Sequence, residues 1–351
     1  MRKLGNIGIG SLFAVPLLAL GVTSVSSVSQ DAAAQWKPER PIEFVIQTSP
    51  GGGSDIYTRL WLGIIDKYKL SPVPLTPVNM PGGAGAVALT YLNGQKGDPH
   101  YLTPTLNSIV TTPLQQKIPV MYPSRDLTPV AMMTTDPFLL WVNPAKYKSW
   151  EDFHAACKAG RLTATGTGAR QEDEIQIGLL QVAAGCETFR YVPESGGGKV
   201  AASVAGGHSD FNVNQPAEAL PHHPDKLIPL VMFGKERHET LKDAPTHWEL
   251  KIGVENDNEY AKLLDLETGL HQVRGLVGPA DMPAEAKAFY DDMFKKVFDA
   301  PEWQDFMKKN GMVATYRGPD GYKEFMTSFE KNHVRMMRDV FKWDLRDDLK
   351  D

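Results

Sequence analysis

The chain has 351 residues, 42% of them hydrophobic, 23% charged and 9% aromatic, a balance that fits one large or two ordinary folded domains and excludes a disordered chain or a mini-protein. Lys and Arg number 37 against 42 Asp and Glu, a formal charge of −5, so no cationic surplus is available to neutralise nucleic-acid phosphates. The 31 glycines and 26 prolines fall short of low complexity and point to many turns.

The first residues read as an export signal: a basic start at Met1-Arg2-Lys3, an apolar run over 7–22, a Ser-rich stretch, and Ala32-Ala33-Ala34 as the cleavage pattern, with the cut after Ala34. A retained anchor is the rival, but the run is short of the ~20 residues a spanning helix needs and Gly8, Gly10 and Ser11 interrupt it. Without Arg2, Lys3 and Asp31, 35 basic face 41 acidic residues, a formal −6. The mature protein is expected to be soluble, monomeric and periplasmic, with no nucleic-acid partner and no cofactor.

Alternating or continuous apolar runs predict strands over 41–47, 73–78, 102–106, 127–133 and 137–142, with helices over 54–69 and 85–93. A second series follows: helix 149–159, strand 161–166, helix 171–184, strand 188–192, helix 197–206, then strands 209–213 and 226–232. A strand over 270–277 and helices over 284–298 and 321–340 close the chain, and no internal repeat is present. This alternation predicts parallel sheets covered by helices on both faces. Cys157 and Cys186 are the only cysteines; an even count in an oxidising compartment permits one disulfide between them, and two buried free thiols are the alternative. No Cys/His spacing suggests zinc.

In an open α/β sheet, ligands bind beyond the carboxyl ends of the strands, and four of those loops are glycine-rich. The first, Ser49-Pro50-Gly51-Gly52-Gly53-Ser54-Asp55, runs straight into a helix, where exposed N–H groups and the positive dipole end favour an anion. Asn79-Met80-Pro81-Gly82-Gly83-Ala84-Gly85 is the second. Its Gly83-x-Gly85-x-x-Ala88 matches a dinucleotide fingerprint, but it comes second in the chain and lacks the acidic residue that should end the next strand. Thr165 to Ala169, containing Thr167 and Gly168, and Ser195-Gly196-Gly197-Gly198 are the others; the last is no Walker loop, since no Ser or Thr follows Lys199. Asn107-Ser108, after the strand at 102–106, completes the set. Two glycine-rich helix starts from each half describe an anion gripped between two bodies.

Catalytic patterns are otherwise missing: no G-x-S-x-G, no H-E-x-x-H, and His222-His223 as the only adjacent His pair. Glu172-Asp173-Glu174, after Gln171, has two readings: favourable charge in the first turn of a helix, or contact with a ligand hydroxyl, amine or cation.

The runs WKPERPIEFVIQTSPGGGSD (36–55), VNMPGGAGAVA (78–88), TGTGARQEDE (165–174) and YVPESGGGKVAASVAGGHSD (191–210), then Asn212 to Pro216, resemble the Bug-type substrate receptors of tripartite tricarboxylate transporters over nearly all of the mature chain. The resemblance implies a type II periplasmic binding-protein fold: two α/β lobes, 36–135 plus 268–351 and 136–267, joined by two crossover strands around a cleft. It implies that a small organic acid places one carboxylate on backbone amides and waters at 49–55 and 79–85, and that the loaded receptor meets inner-membrane permease subunits. Three departures concern the second lobe. Gln171 to Glu174 replaces a Ser/Thr and His pattern, no basic residue stands in 191–196, and Asn214 takes the place of an Asp. These remove positive charge from the distal end of the cleft, so the far end of the ligand is expected to be neutral, hydroxylated, aromatic or cationic. The charged segment 255–268 and the tail 342–351 read as solvated surface. A hydrolase or lyase using Glu172 or Asp173 as base, and an accessory binder for a sensor kinase, are the rival functions.

Overall fold

In the computed structural model of the chain, residues 36–349 are described except 256 and 266–268; residues 1–34, where an export signal is expected, lie outside them. The elements run β1 (Ile42–Ile46), α1 (Gly53–Lys67), β2 (Leu75–Asn79), α2 (Ala86–Asn93), β3 (Tyr101–Thr105), α3 (Ser108–Gln115), α4 (Pro123–Asp126), β4 (Thr128–Asp136) and β5 (Leu139–Val142). They continue with α5 (Trp150–Ala159), β6 (Thr163–Thr167), α6 (Glu172–Ala184), β7 (Arg190–Glu194), α7 (Gly197–Ala205), β8 (Phe211–Asn214), α8 (Pro216–Ala219) and β9 (Ile228–Met232). After β10 (Gln272–Gly278) come α9 (Ala284–Asp299), α10 (Pro301–Lys309) and α11 (Pro319–Arg335).

Among the described residues, ten strands form two five-stranded sheets, β2-β1-β3-β10-β4 and β7-β6-β8-β5-β9, one in each of two lobes. The expected parallel pairing holds for β2-β1-β3 and β7-β6-β8. Each sheet nevertheless contains one antiparallel strand: β10 against β3 and β4, and β5 against β8 and β9. The physical cause is connectivity. A chain that leaves one sheet and threads directly into the other arrives running the opposite way, with no crossover helix to turn it round.

Helices pack on the sheets, so the inner strands are largely apolar: Ile42, Phe44, Val45 and Ile46 of β1 and Leu139 to Val142 of β5 are fully buried, while the edge strands β2 and β7 stay half-exposed. Under β1 the core is aromatic, with Trp61 of α1 edge-on to Trp303 of α10 at 5.3 Å and to Phe294 of α9 at 5.8 Å. Helix α3 escaped the sequence reading because SIVTTPLQ is β-branched and carries Pro113, a composition that favours strand or turn.

The two crossovers are strapped together. His271 accepts a hydrogen bond at Nδ1 from the Phe138 N–H (3.1 Å) on the first crossover, and its Nε2–H donates to the Leu264 carbonyl (2.9 Å) on the second. Burial pushes its pKa down to about 4, keeping the ring neutral. Asn107 clamps the same place, donating to the His271 carbonyl and accepting from the Val273 N–H, both at 3.0 Å.

Cys157 on α5 and Cys186 just beyond α6 form a disulfide with Cα atoms 5.1 Å apart. Described parts of the segments expected to be solvated are packed. Asn258 donates to the Val182 carbonyl at 3.1 Å, and Leu263 and Leu264 are buried. In the tail, the Phe341 ring fills the notch over Gly178, where a Cβ would stand 2.1 Å from its Cζ, and Arg346 donates to the carbonyls of Pro113, Ile118 and Val120, each at 3.2 Å. High charge density concealed the apolar spacing of Phe341, Trp343, Leu345 and Leu349, all of which pack against the core.

Candidate functional site

Helix α1 opens directly after β1, and its first-turn N–H groups have no acceptor within the helix, which makes that end a seat for an anion. The loop before it is held from behind. Asp55 accepts from the Gly51 N–H, Arg59 Nε and Asn79 Nδ2, each at 2.9 Å, and Asn79 also donates to the Thr48 carbonyl at 2.8 Å. The Arg59 guanidinium heads the causes that hold the Asp55 carboxyl down at about 2. Asp55 and Asn79 are thus braces rather than walls of a pocket.

The second loop has positive φ at Gly82, Gly83, Ala84 and Gly85 in succession. Only glycine adopts such values freely, and Ala84 is held at φ 53° while its carbonyl accepts from Thr112 Oγ1 at 2.7 Å.

In the other lobe, Asp173 accepts from the Thr167 N–H at 2.8 Å, and Tyr191 Oη donates to the Gly168 carbonyl at 2.7 Å. Gly166 must be glycine: a Cβ there would lie 2.5 Å from Asp173 Cβ and 2.6 Å from Tyr191 Oη. The lobes touch across the cleft, where Thr111 Oγ1 meets Glu172 Oε1 at 3.4 Å and Gln115 Nε2 donates to the Arg170 carbonyl at 3.2 Å.

These loops converge on a cavity of about 430 Å³. Gly53, Ser54, Gly82, Ala84 and Ser108 line it from the first lobe, and Thr167, Gly168, Gln171, Glu172 and Gly197 from the second. Ser49, Gly51, Gly52, Gly83, Asn107 and Gly196 do not line it, nor does Asn214, whose Oδ1 accepts the N–H of the lining residue Gln215 at 2.8 Å. Sequence reasoning missed Gln47, Thr48, Gln215, Glu218, Gln272 and Arg274, all in the wall. Arg274 alone had a signal: it is the one charge inside the apolar run 272–278. A larger groove of about 1110 Å³ beside α11 lies away from the strand ends where the glycine loops meet.

Arg274 pairs with Asp136 at 2.6 Å and lies 5.4 Å from the centre of the Tyr57 ring. Burial raises the Asp136 carboxyl while the guanidinium pulls it back; the arginine itself stays charged. Several buried polar atoms of the cavity wall have no protein partner, both amide atoms of Gln47, Thr48 Oγ1 and Glu218 Oε2, and the same is true of Oδ1 of Asp136, the counter-ion of Arg274. Unpaired buried polar groups are costly unless something else completes them. Among the described residues no three His, Cys, Asp or Glu gather as a metal-holding group.

Burial pushes Glu172, Asp173 and Glu218 each up to about 7. An acid whose folded pKa exceeds its unfolded value keeps a proton that the unfolded chain releases, so its contribution is present at low pH and is lost as pH rises from about 4.5 through 7. The double variant Glu172→Gln/Glu218→Gln is therefore expected to be more stable than the parent at pH 8, by about 1–2 kcal/mol per site after discounting for the solvent-facing edges of both side chains. Denaturant melts at pH 8 and 4.5 check this, and an unchanged difference between the two would sink it.

A family model described as tripartite tricarboxylate transporter family receptor matches residues 73–340. The "UPF0065 protein in gbd 5'region" of Cupriavidus necator is 26% identical over 311 residues, 88% of each chain. Among solved structures, a TctC solute binding protein from Polaromonas superposes with a TM-score of 0.71 at 22% identity, over 86% of this chain and 99% of that one. MatC from Rhodopseudomonas palustris, solved with bound malate, gives 0.66 at 21% identity, over 86% and 99%.

Proposed function

The chain belongs to the tripartite tricarboxylate transporter receptor family, and from that premise we propose that it is an exported, periplasmic, monomeric receptor that captures a small organic acid between its lobes and delivers it to inner-membrane permease subunits. The signal peptide is residues 1–34, and the lobes divide as 36–135 with 268–351, and 136–267. One carboxylate of the ligand sits on the N–H groups at the start of α1 and in the loop 79–85. Closure of the second lobe by hinge motion at the crossovers buries it, and the closed shape is what the permease recognises.

The observation that carries this reading is the composition of the first-lobe wall. Apart from Arg274, which is paired with Asp136, that wall is uncharged, with Gln47, Thr48, Gly53, Ser54, Gly82, Ala84 and Ser108 in it, so an anion there is held chiefly by amide dipoles, which suits a carboxylate in a dry cleft. The malate bound to MatC is an acid of this kind. A receptor with such a wall needs no reacting group and leaves its ligand unchanged.

A Cβ on Gly53 would meet only Arg274 Nη1, at 3.9 Å, so a longer side chain has room at its root and grows into the cavity. Gly53→Leu is expected to abolish carboxylate binding, by about a hundredfold or more, while leaving the unliganded melting temperature close to that of the parent. A thermal-shift screen of mono- and dicarboxylates, aromatic acids and amino acids, followed by calorimetry, provides the measurement. Stabilisation without consumption supports a receptor. Product formation would replace this reading with an enzyme, and full affinity in Gly53→Leu would displace the carboxylate from α1.

A further inference from the structure

The two halves of the cavity differ in charge. The first-lobe wall carries one charge, Arg274, whereas the second-lobe wall carries Glu172, Asp173 and Glu218 and no Lys or Arg. Arg274, at the floor, is matched by Asp136, so it leaves no spare cation for a second ligand carboxylate.

The strand-end N–H and the α7 start that could have held such a carboxylate already have the protein's own acids against them. Asp173 takes the Thr167 N–H at 2.8 Å. Glu218 lies across the start of α7, where a Cβ on Gly197 would stand 2.4 Å from its Cγ and 3.1 Å from its Oε1. Its other oxygen, Oε2, is buried with no protein partner, and across the cavity Gln47, 4% exposed, leaves both amide atoms unpaired. The distal wall therefore offers acceptors and negative charge to whatever fills the space.

We propose that the ligand is a zwitterion: a carboxylate at its α1 end and a protonated amino group at its far end, received by Glu172 and Glu218. This rests on the receptor reading above and narrows its substrate class. Asp173, engaged with the Thr167 loop, is a positioning residue. A second carboxylate at the same place would face like charge in a site of low dielectric, which costs affinity and selects against diacids.

Calorimetry on the full-length mature protein at pH 8, with straight-chain probes of three to six carbons in matched sets, tests it: the ω-amino acid, the ω-hydroxy acid, the dicarboxylate and the simple monocarboxylate, alongside α-amino acids. The expected result is that an amino-bearing acid binds at least about tenfold tighter than its hydroxy, dicarboxylate and unsubstituted counterparts. Glu172→Gln and Glu218→Gln should each reduce that preference by about tenfold and melt no lower than the parent. If a dicarboxylate or hydroxy acid binds as well as the amino acid, or if the glutamine variants keep the preference, the zwitterion proposal is overturned and the receptor reading stands. If no acid of any class binds, both fall.

Discussion

Arg274→Met is expected to destabilise the protein by about 3–4 kcal/mol at pH 7 and by much less at pH 5. The substitution keeps most of the side-chain volume beside Tyr57 but strands Asp136, which is 1% exposed and whose Oδ1 already lacks a partner. An unpaired carboxylate kept charged in that position costs several kcal/mol. Protonating it instead costs about 1.4 kcal/mol for each pH unit above ~3.9, or about 4 kcal/mol at pH 7 and about 1.5 kcal/mol at pH 5. The lower of these routes bounds the loss and gives it a pH dependence. Adding Asp136→Asn, which leaves no buried charge, should recover a large part of the stability at pH 7 and remove the difference between the two pH values. Denaturant melts of the parent, the single and the double variant at both pH values measure this. A single variant that loses the same amount at pH 5 as at pH 7 would mean that the ion pair does not hold the floor of the cleft.

Loss of the disulfide is the second large effect. Cys157 and Cys186 are separated by 29 residues, for which the chain-entropy relation gives about 3–4 kcal/mol of stabilisation. Two contacts persist without the bridge, the Glu187 N–H to the Cys157 carbonyl at 3.1 Å and His154 Nε2 to the Ala184 carbonyl at 2.9 Å, so the lower end of that range is expected for Cys157→Ser/Cys186→Ser. Ligand affinity should not change, because the bridge sits at the end of the 13-residue α6 opposite Glu172, about 20 Å along the helix. Urea melts with and without reductant, paired with calorimetry, separate the two statements: an unshifted midpoint refutes the first, and weakened binding refutes the second.

The glycine loops were readable because their information is local. A run such as Pro50 to Asp55 between an apolar strand and a helical pattern specifies a turn, a helix start and a seat for an anion within a few residues, and the resemblance to receptor sequences lay in those same segments. The strands themselves followed from continuous apolar runs. What could not be read locally was which lobe wall each charge joins. Asp55 looked like a candidate ligand contact and turned out to brace its own loop: Arg59, one turn along α1, and Asn79, which only the fold brings near, both donate to its Oδ1, and the Gly51 N–H donates to Oδ2. Glu218 drew no notice in a short helix after β8, yet the close approach of that helix to Gly197 places its carboxyl in the cavity wall. The tail was misread as solvated because its apolar residues are spaced between charges and meet partners far away in sequence, Phe341 over Gly178 of α6 and Trp343 under Arg170.

By itself, then, the sequence determined the α/β alternation, the family resemblance and the amide-lined half of the cleft, all of which depend on residues near one another in the chain. The tertiary structure alone decided the antiparallel crossover strands, the strap at His271 and the roles of the charged groups around the cleft, Asp136, Glu172, Glu218 and Arg274. Those groups are far apart in sequence, and whether a carboxyl ends as a brace, a counter-ion or a ligand contact depends on burial and partners that no local pattern encodes.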